Sequence, residues 1–196
     1  MKKTDKRAAM ILLIMAAAFF LPLPQLVKAQ ATYKLAAGST IKVLGTSNVH
    51  DWTMISNAVE SQGQFDLPGH SLPALSLRLS VTSLKSEHTS MDDRTYTAVN
   101  AKKYPDISFK LTSAEVVPGE NNTYQIKAKG ELTIAGATKP VSVDVTAVSS
   151  ADNAITCSGS KNIQLTDYGI KPPTFMLGAM KVHNDLTIQF NLIYKK

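Results

Sequence analysis

A stretch of alternating apolar and polar residues between positions 122 and 148 limits the possible folds more than any other feature of this chain. Its period of two residues is typical of a β-strand with one buried face and one solvated face. The alternation stops at Gly136, which can adopt the positive φ of a tight turn, and at Pro140, which lacks a backbone amide. It then resumes, so the segment predicts a β-hairpin whose apolar rows share one interior. The apolar positions are Tyr124, Ile126, Ala128, Leu132, Ile134, Val141, Val143, Val145 and Ala147.

Similar alternation along the rest of the chain predicts a protein made largely of antiparallel strands. The clearest case begins at Met180 and ends at Tyr194, and it predicts a last strand about 50 Å long at ~3.3 Å per residue. Shorter strands are predicted around 41–45, 59–67, 75–81, 107–117 and 155–157. This pattern fits an antiparallel barrel or a two-sheet sandwich, and alternation does not choose between them.

One short helix is predicted between Ser90 and Asn100, with Ser90 as its N-cap. Asp92 and Asp93 would lie near the positive end of the helix dipole. A metal or acid/base cluster of these two carboxylates with His88 is the functional alternative. The dipole interpretation is favoured, because no second group of residues has a metal-ligand spacing.

Three motifs in one order resemble those of a known family. Residues 130–141 read Gly-Glu-Leu-Thr-Ile-Ala-Gly-Ala-Thr-Lys-Pro-Val, which is similar to the GxLTIxGxTKPV core of the YceI-like family. Residues 104–109 resemble its YPxIxF motif, and residues 167–170 resemble its DFGI motif. The resemblance implies an all-β fold, an extended antiparallel lipocalin-like barrel of about eight strands with one short helix.

The family binds polyisoprenoid-type lipids, so the resemblance implies a carrier for a long-chain isoprenoid or other amphiphilic lipid. We expect the lipid to lie inside the barrel, against apolar residues of the inward parity or near the opening. These residues are Trp52, Phe109, Ile126, Leu132, Ile134, Val143, Phe175, Met176, Ile188 and Phe190.

The mouth of the predicted pocket is assigned to His50, Asp51 and Tyr168. For the His-Asp-Trp segment, the alternative is a capped turn followed by a core tryptophan. The apolar residues after Pro172 and Pro173 predict a lid over the opening or a plug of the barrel end, and both interpretations stay open.

The first 29 residues are interpreted as a cleaved secretory signal peptide, followed by one barrel domain at 30–196. A basic start, an apolar core and Val-Lys-Ala before position 30 fit this interpretation. Export to the periplasm or the medium is therefore expected, without a stable membrane anchor. Without this segment the chain has 16 basic and 14 acidic residues, so its charge does not favour nucleic acid as a partner.

The sequence indicates a binding protein and no enzyme. Its four histidines and its carboxylates show no HExxH or GxSxG motif, and we expect no metal or cofactor. The single Cys157 is expected in the core. The competing hypothesis is an exported structural or stress-related β-domain with a filled core and no lipid ligand. The oligomeric state stays open, with a homodimer as one option.

Overall fold

The structure, a computed structural model, describes residues 31–196, so the predicted signal peptide lies outside the described residues. Strands dominate this part of the chain. They are β1 (Thr32–Leu35), β2 (Thr40–Ser47), β3 (Asp51–Ser56), β4 (Val59–Asp66), β5 (Ser71–Ser80), β6 (Asp106–Pro118), β7 (Thr123–Ile134), β8 (Ala137–Ser149), β9 (Ile155–Gln164), β10 (Thr174–Phe175) and β11 (Met180–Lys195). One α-helix, α1 (Thr89–Ala98), and three 3₁₀ turns, Val81–Ser83, Leu165–Tyr168 and Met176–Gly178, complete these residues.

The short strand β1 closes the sheet. It pairs antiparallel with β4 on one side and with β11 on the other. The neighbours therefore run β1-β4-β5-β6-β7-β8-β9-β11 and return to β1. This is a closed eight-stranded antiparallel barrel with one helix, so the predicted lipocalin-like fold is confirmed. β2 and β3 continue the wall beside β11, and the backbone of Ile55 in β3 bonds to Lys85.

The hairpin of β7 and β8 forms as the alternation predicts. Ala135 and Gly136 have φ values of 50° and 79°, which give the tight two-residue turn that suits a twisted hairpin. The second strand begins earlier than expected, because Pro140 lies within β8 opposite Glu131. Proline is tolerated there because β8 pairs with β9 only from Val145 to Ser149.

Beyond this short ladder the two strands separate and leave a break in the wall, the β8–β9 gap. Leu165, Tyr168 and Ile170 fill it and pack in one apolar cluster with Ile134 and Val141. Asn184 of β11 holds this segment in place. Its Oδ1 accepts from the Thr166 amide at 3.0 Å, and its Nδ2 donates to the Thr166 hydroxyl at 2.9 Å.

The predicted helix exists, but its N-terminus differs from the expectation. α1 begins at Thr89, His88 occupies the cap position without a side-chain cap bond, and Ser90 lies inside the helix. Asp92 is buried and accepts hydrogen bonds from both the amide and the hydroxyl of Ser86, each at 2.7 Å. The carboxylate thus fixes α1 to the preceding chain, a tertiary role that local sequence does not reveal.

Charge also holds Asp92 in this position. Its carboxylate lies 3.7 Å from the Lys85 Nζ. Burial raises the pKa of the carboxyl, but the hydrogen bonds from Ser86 and the charge of Lys85 outweigh this effect and hold the pKa below its ordinary value.

We predict that Asp92→Ala lowers the free energy of unfolding by about 1–3 kcal/mol, because two Ser86 donors lose their acceptor. Since the folded-state pKa is depressed, this contribution is present above the ordinary carboxyl pKa and is lost as pH falls through the folded value. Urea unfolding at neutral and acidic pH measures both effects. Asp93→Ala, an exposed neighbour on α1, is the control. Equal stability of the two variants at neutral pH would contradict the conclusion that Asp92 fixes α1 to the preceding chain.

Candidate functional site

The barrel encloses a cavity of about 420 Å³, within the usual range of small-molecule sites. Its lining is predominantly apolar and comes from the inward faces of the wall strands. Ile188 and Phe190 are only half-buried although they point inward, because they face open space. The interior is therefore not filled by the protein's own side chains.

Nine of the ten residues predicted to contact a lipid line this cavity. They are Trp52, Phe109, Ile126, Leu132, Ile134, Val143, Phe175, Ile188 and Phe190. The strand parity read from the sequence correctly predicted where the wall residues among them point. Their contact with a lipid stays a prediction.

Met176 is the exception and does not line the cavity. Its side chain is 72% exposed, and the next residue, Leu177, is fully exposed. Both have positive φ values, 53° and 56°, so a tight turn directs their side chains away from the opening. The segment after the two prolines therefore covers the barrel end. Of its apolar residues Phe175, Met176 and Leu177, Phe175 lines the cavity.

The three residues assigned to the mouth occupy three different environments. His50 is exposed and lines the cavity at its open end. Asp51 is exposed but absent from the lining, because alternation along β3 turns it outward and Trp52 inward. Tyr168 lines the cavity from within the β8–β9 gap, with 3% of its surface exposed, so it belongs to the wall and not to the rim. Burial raises the pKa of its hydroxyl.

Aromatic side chains close the far end of the cavity. The Phe65 ring centroid lies 4.9 Å from that of Tyr194 and 5.6 Å from that of Tyr33. The Tyr194 hydroxyl lies 2.8 Å from the Ser61 hydroxyl, and burial raises its pKa. This end is therefore an apolar floor, in which the buried Tyr194 hydroxyl has a hydrogen-bond partner.

The other end of the cavity is covered by α1, the turn at 47–50 and the segment 173–180. The Arg94 guanidinium on α1 lies 4.5 Å from the Phe175 ring centroid. Asn48 joins the other two parts, since its Nδ2 donates to the Ala179 carbonyl and its Oδ1 accepts from the Lys181 amide. The exposed residues of the lining all lie here: His50, His88, Ser90 and Arg94. This end is the entrance.

Trp52 contributes the least expected feature of the wall. Its indole lies over Gly45 of β2 so closely that a Cβ there would overlap the ring. Its Nε1 is buried and has no hydrogen-bond partner among residues 31–196. A buried N–H group without a partner in the described chain is uncommon in folded proteins.

Lys161 is a lining residue that the sequence analysis did not identify. It lies on β9 with the same parity as Ile155, Cys157 and Ile163, all of which are buried. The sequence signal for this residue is a lysine at a position of β9 where the alternation predicts an apolar side chain. That signal is weak, because the sequence predicts a strand only around 155–157 and Lys161 lies beyond it.

The comparisons with known proteins agree with this architecture. The model of the YceI-like domain matches residues 27–194, nearly the whole described chain. The chain belongs to the YceI-like family. A UPF0312 protein of Vibrio cholerae is 26% identical over 122 residues, which are 59% of this chain and 62% of that protein. The chain thus spans less than two thirds of the length of the curated relatives it matches.

Solved structures share the fold of this YceI-like chain. BcnA of Burkholderia cenocepacia superimposes with a TM-score of 0.68 at 20% identity, covering 81% of this chain and 98% of BcnA. A polyisoprenoid binding domain from Saccharophagus degradans gives a TM-score of 0.63 at 11% identity, covering 85% and 98%. At these identities the likeness establishes the fold.

Other functional groups of the YceI-like barrel are few. Burial raises the pKa of the Cys157 thiol to about 12, so it is not a thiolate near neutral pH. Residues 31–196 contain no group of three or more His, Cys, Asp or Glu side chains that could hold a metal ion. None of the helices in this range has the length and apolar character needed to cross a membrane.

We predict that Gly45→Ala displaces the Trp52 indole and costs about 1–3 kcal/mol of stability, because the added methyl overpacks the wall. Trp52 is the only tryptophan of the chain, so its fluorescence emission measures the displacement directly. Gly119→Ala is the control, since its methyl would meet no atom closer than the Thr123 carbonyl oxygen at 3.3 Å. Unchanged emission and stability in Gly45→Ala would show that the indole does not lie over β2.

Proposed function

We propose that this protein is a non-catalytic carrier that holds a long-chain isoprenoid or other amphiphilic lipid inside its barrel. The observation that carries the proposal is the apolar cavity, closed at one end by aromatic side chains and entered at the other past α1. Each CH₂ group that leaves water for such a space contributes ~0.8 kcal/mol to binding.

The open interior also separates this proposal from its competitor. A structural β-domain needs a filled core, in which inward residues interdigitate without voids larger than a water molecule. Here half-buried residues such as Val143, Ile188 and Phe190 face about 420 Å³ of space. An apolar void of this size weakens packing unless a ligand occupies it.

Fold similarity supports the same ligand class. The Saccharophagus degradans neighbour is described as a polyisoprenoid binding domain, and its barrel covers 85% of this chain. We extend that binding to this chain as part of the proposal. Which isoprenoid or other lipid binds depends on the cavity of this protein and not on its relatives.

We further propose that the protein is exported and that it works by binding alone. The signal peptide predicted for the first 29 residues supports export to the periplasm or the medium. The buried Cys157, with its raised pKa, lacks the reactive thiolate of a catalytic cysteine. Lipid burial itself needs no reacting group.

The proposal predicts how affinity depends on ligand length. Binding of a chain-length series should tighten by up to ~0.8 kcal/mol per CH₂ until the cavity is full, and then level off. Ile134→Trp should shorten the chain length at which the plateau begins, because Ile134 lines the cavity and a larger ring occupies ligand space. Calorimetric titration measures the affinities, and thermal melts measure stability.

Gln125→Trp provides the matched control, since Gln125 lies on the same strand with an exposed side chain. It should leave the plateau where the unmodified protein has it. The carrier function is contradicted if no chain length binds the unmodified protein and Ile134→Trp lowers the melting temperature by overpacking, as in a filled core.

A further inference from the structure

We propose that the cavity wall contains a binding site for an anionic headgroup at the ammonium group of Lys161. This inference rests on the proposed lipid-binding function and specifies the ligand as an amphiphile with a carboxylate or phosphate group. It also sets the orientation, with the headgroup on the wall formed by β9, β11, β2 and β3.

The register of the strands places the Lys161 side chain on the inner face. Directly paired residues of antiparallel strands project to the same side of the sheet. The row that contains Lys161 runs across four strands as Lys161, Ile188, Val43 and Met54. All four residues line the cavity.

Lys161 lies beyond the last pairing between β8 and β9. The last residue of β9 that pairs with β8 is Gly159, so Lys161 lies two positions into the β8–β9 gap. Within residues 31–196 its ammonium group forms no salt bridge. An ammonium group next to apolar side chains is stabilised more by an anion than by the hydrocarbon around it.

Trp52 lies on the same wall, in the adjacent row and three strands away from Lys161. That row runs Ile163, Leu186, Gly45 and Trp52, and the indole lies over Gly45. Its Nε1 is buried without a partner in the described chain. A carboxylate or phosphate can accept a charge-assisted hydrogen bond from the Lys161 ammonium group, whereas the hydroxyl of an alcohol carries no opposite charge.

The charges of the lining select the sign of the ligand. Lys161 and Arg94 are its lysine and arginine, and no aspartate or glutamate lines the cavity within the described residues. Arg94 is exposed at the entrance and packs against the Phe175 ring, so water screens its charge. Lys161 is half-buried within the wall, where a bound anion is screened less.

The test is a calorimetric titration with three probes of equal chain length: oleate, oleyl phosphate and oleyl alcohol. It is run at about pH 8, where a carboxylic acid is ionised. We expect the unmodified protein to bind at least one of the anions roughly tenfold to a hundredfold more tightly than the alcohol. The stronger of the two anions identifies the headgroup as carboxylate or phosphate.

Lys161→Met should remove most of this preference for the anions over the alcohol, because methionine keeps the apolar stem and lacks the positive charge. Lys42→Met is the control: it removes the same charge from an exposed position on the outer face of β2. Arg94→Met tests whether the charge at the entrance contributes to the preference for the anions. Binding of the anion should also shift the emission of Trp52, and the alcohol should shift it less.

The outcomes distinguish the headgroup site from the carrier function. If the alcohol binds as tightly as the anions, or if the preference survives in Lys161→Met, the headgroup site is wrong and the carrier function stands. If the unmodified protein binds none of the three probes, both the carrier function and the site are overturned.

Discussion

The closure of the sheet through β1 determines where the inward side chains of the barrel go. Once β1 pairs with both β4 and β11, every wall strand must send one of its two faces into the same enclosed space. The period of two residues then assigns each side chain to the inside or the outside. A slip of one residue would place an apolar row in water, so burial fixes the register.

The enclosed space exceeds what the inward residues fill, and this surplus is the basis for the proposed function. The floor is closed by the Phe65 and Tyr194 rings, while the entrance is bounded by one helix and two loops. A rigid wall with a covered opening can exclude water from a bound chain. The Asp92 tether positions α1 over that opening, so a carboxylate that takes no part in binding contributes to the shape of the site.

Local patterns predicted much of this structure. The β7–β8 hairpin and β11 are long and strongly alternating, so Ile126, Ile134 and Phe190 were correctly placed on the inner face. Whether the strands form a barrel or a sandwich depends on pairing between distant strands, and here the family resemblance chose correctly. The cavity itself depends on the volume left between side chains, which no sequence pattern records.

The errors have the same physical origin. Met176 was assigned to the cavity from its apolar character, but consecutive positive φ values turn it outward. Tyr168 became part of the wall because β8 and β9 separate, a break that neither strand shows in its own sequence. Lys161 was missed for the same reason: its inward direction follows from pairing with Ile188, far along the chain.

Native mass spectrometry tests the central claim most directly. The purified protein would be incubated with a total bacterial lipid extract, separated from free lipid and measured intact. The account predicts a population heavier than the polypeptide by the mass of one lipid, and organic extraction of that population should release an amphiphile with a long apolar chain. A spectrum that contains only the bare polypeptide, before and after incubation, would contradict the claim that this barrel is a lipid carrier.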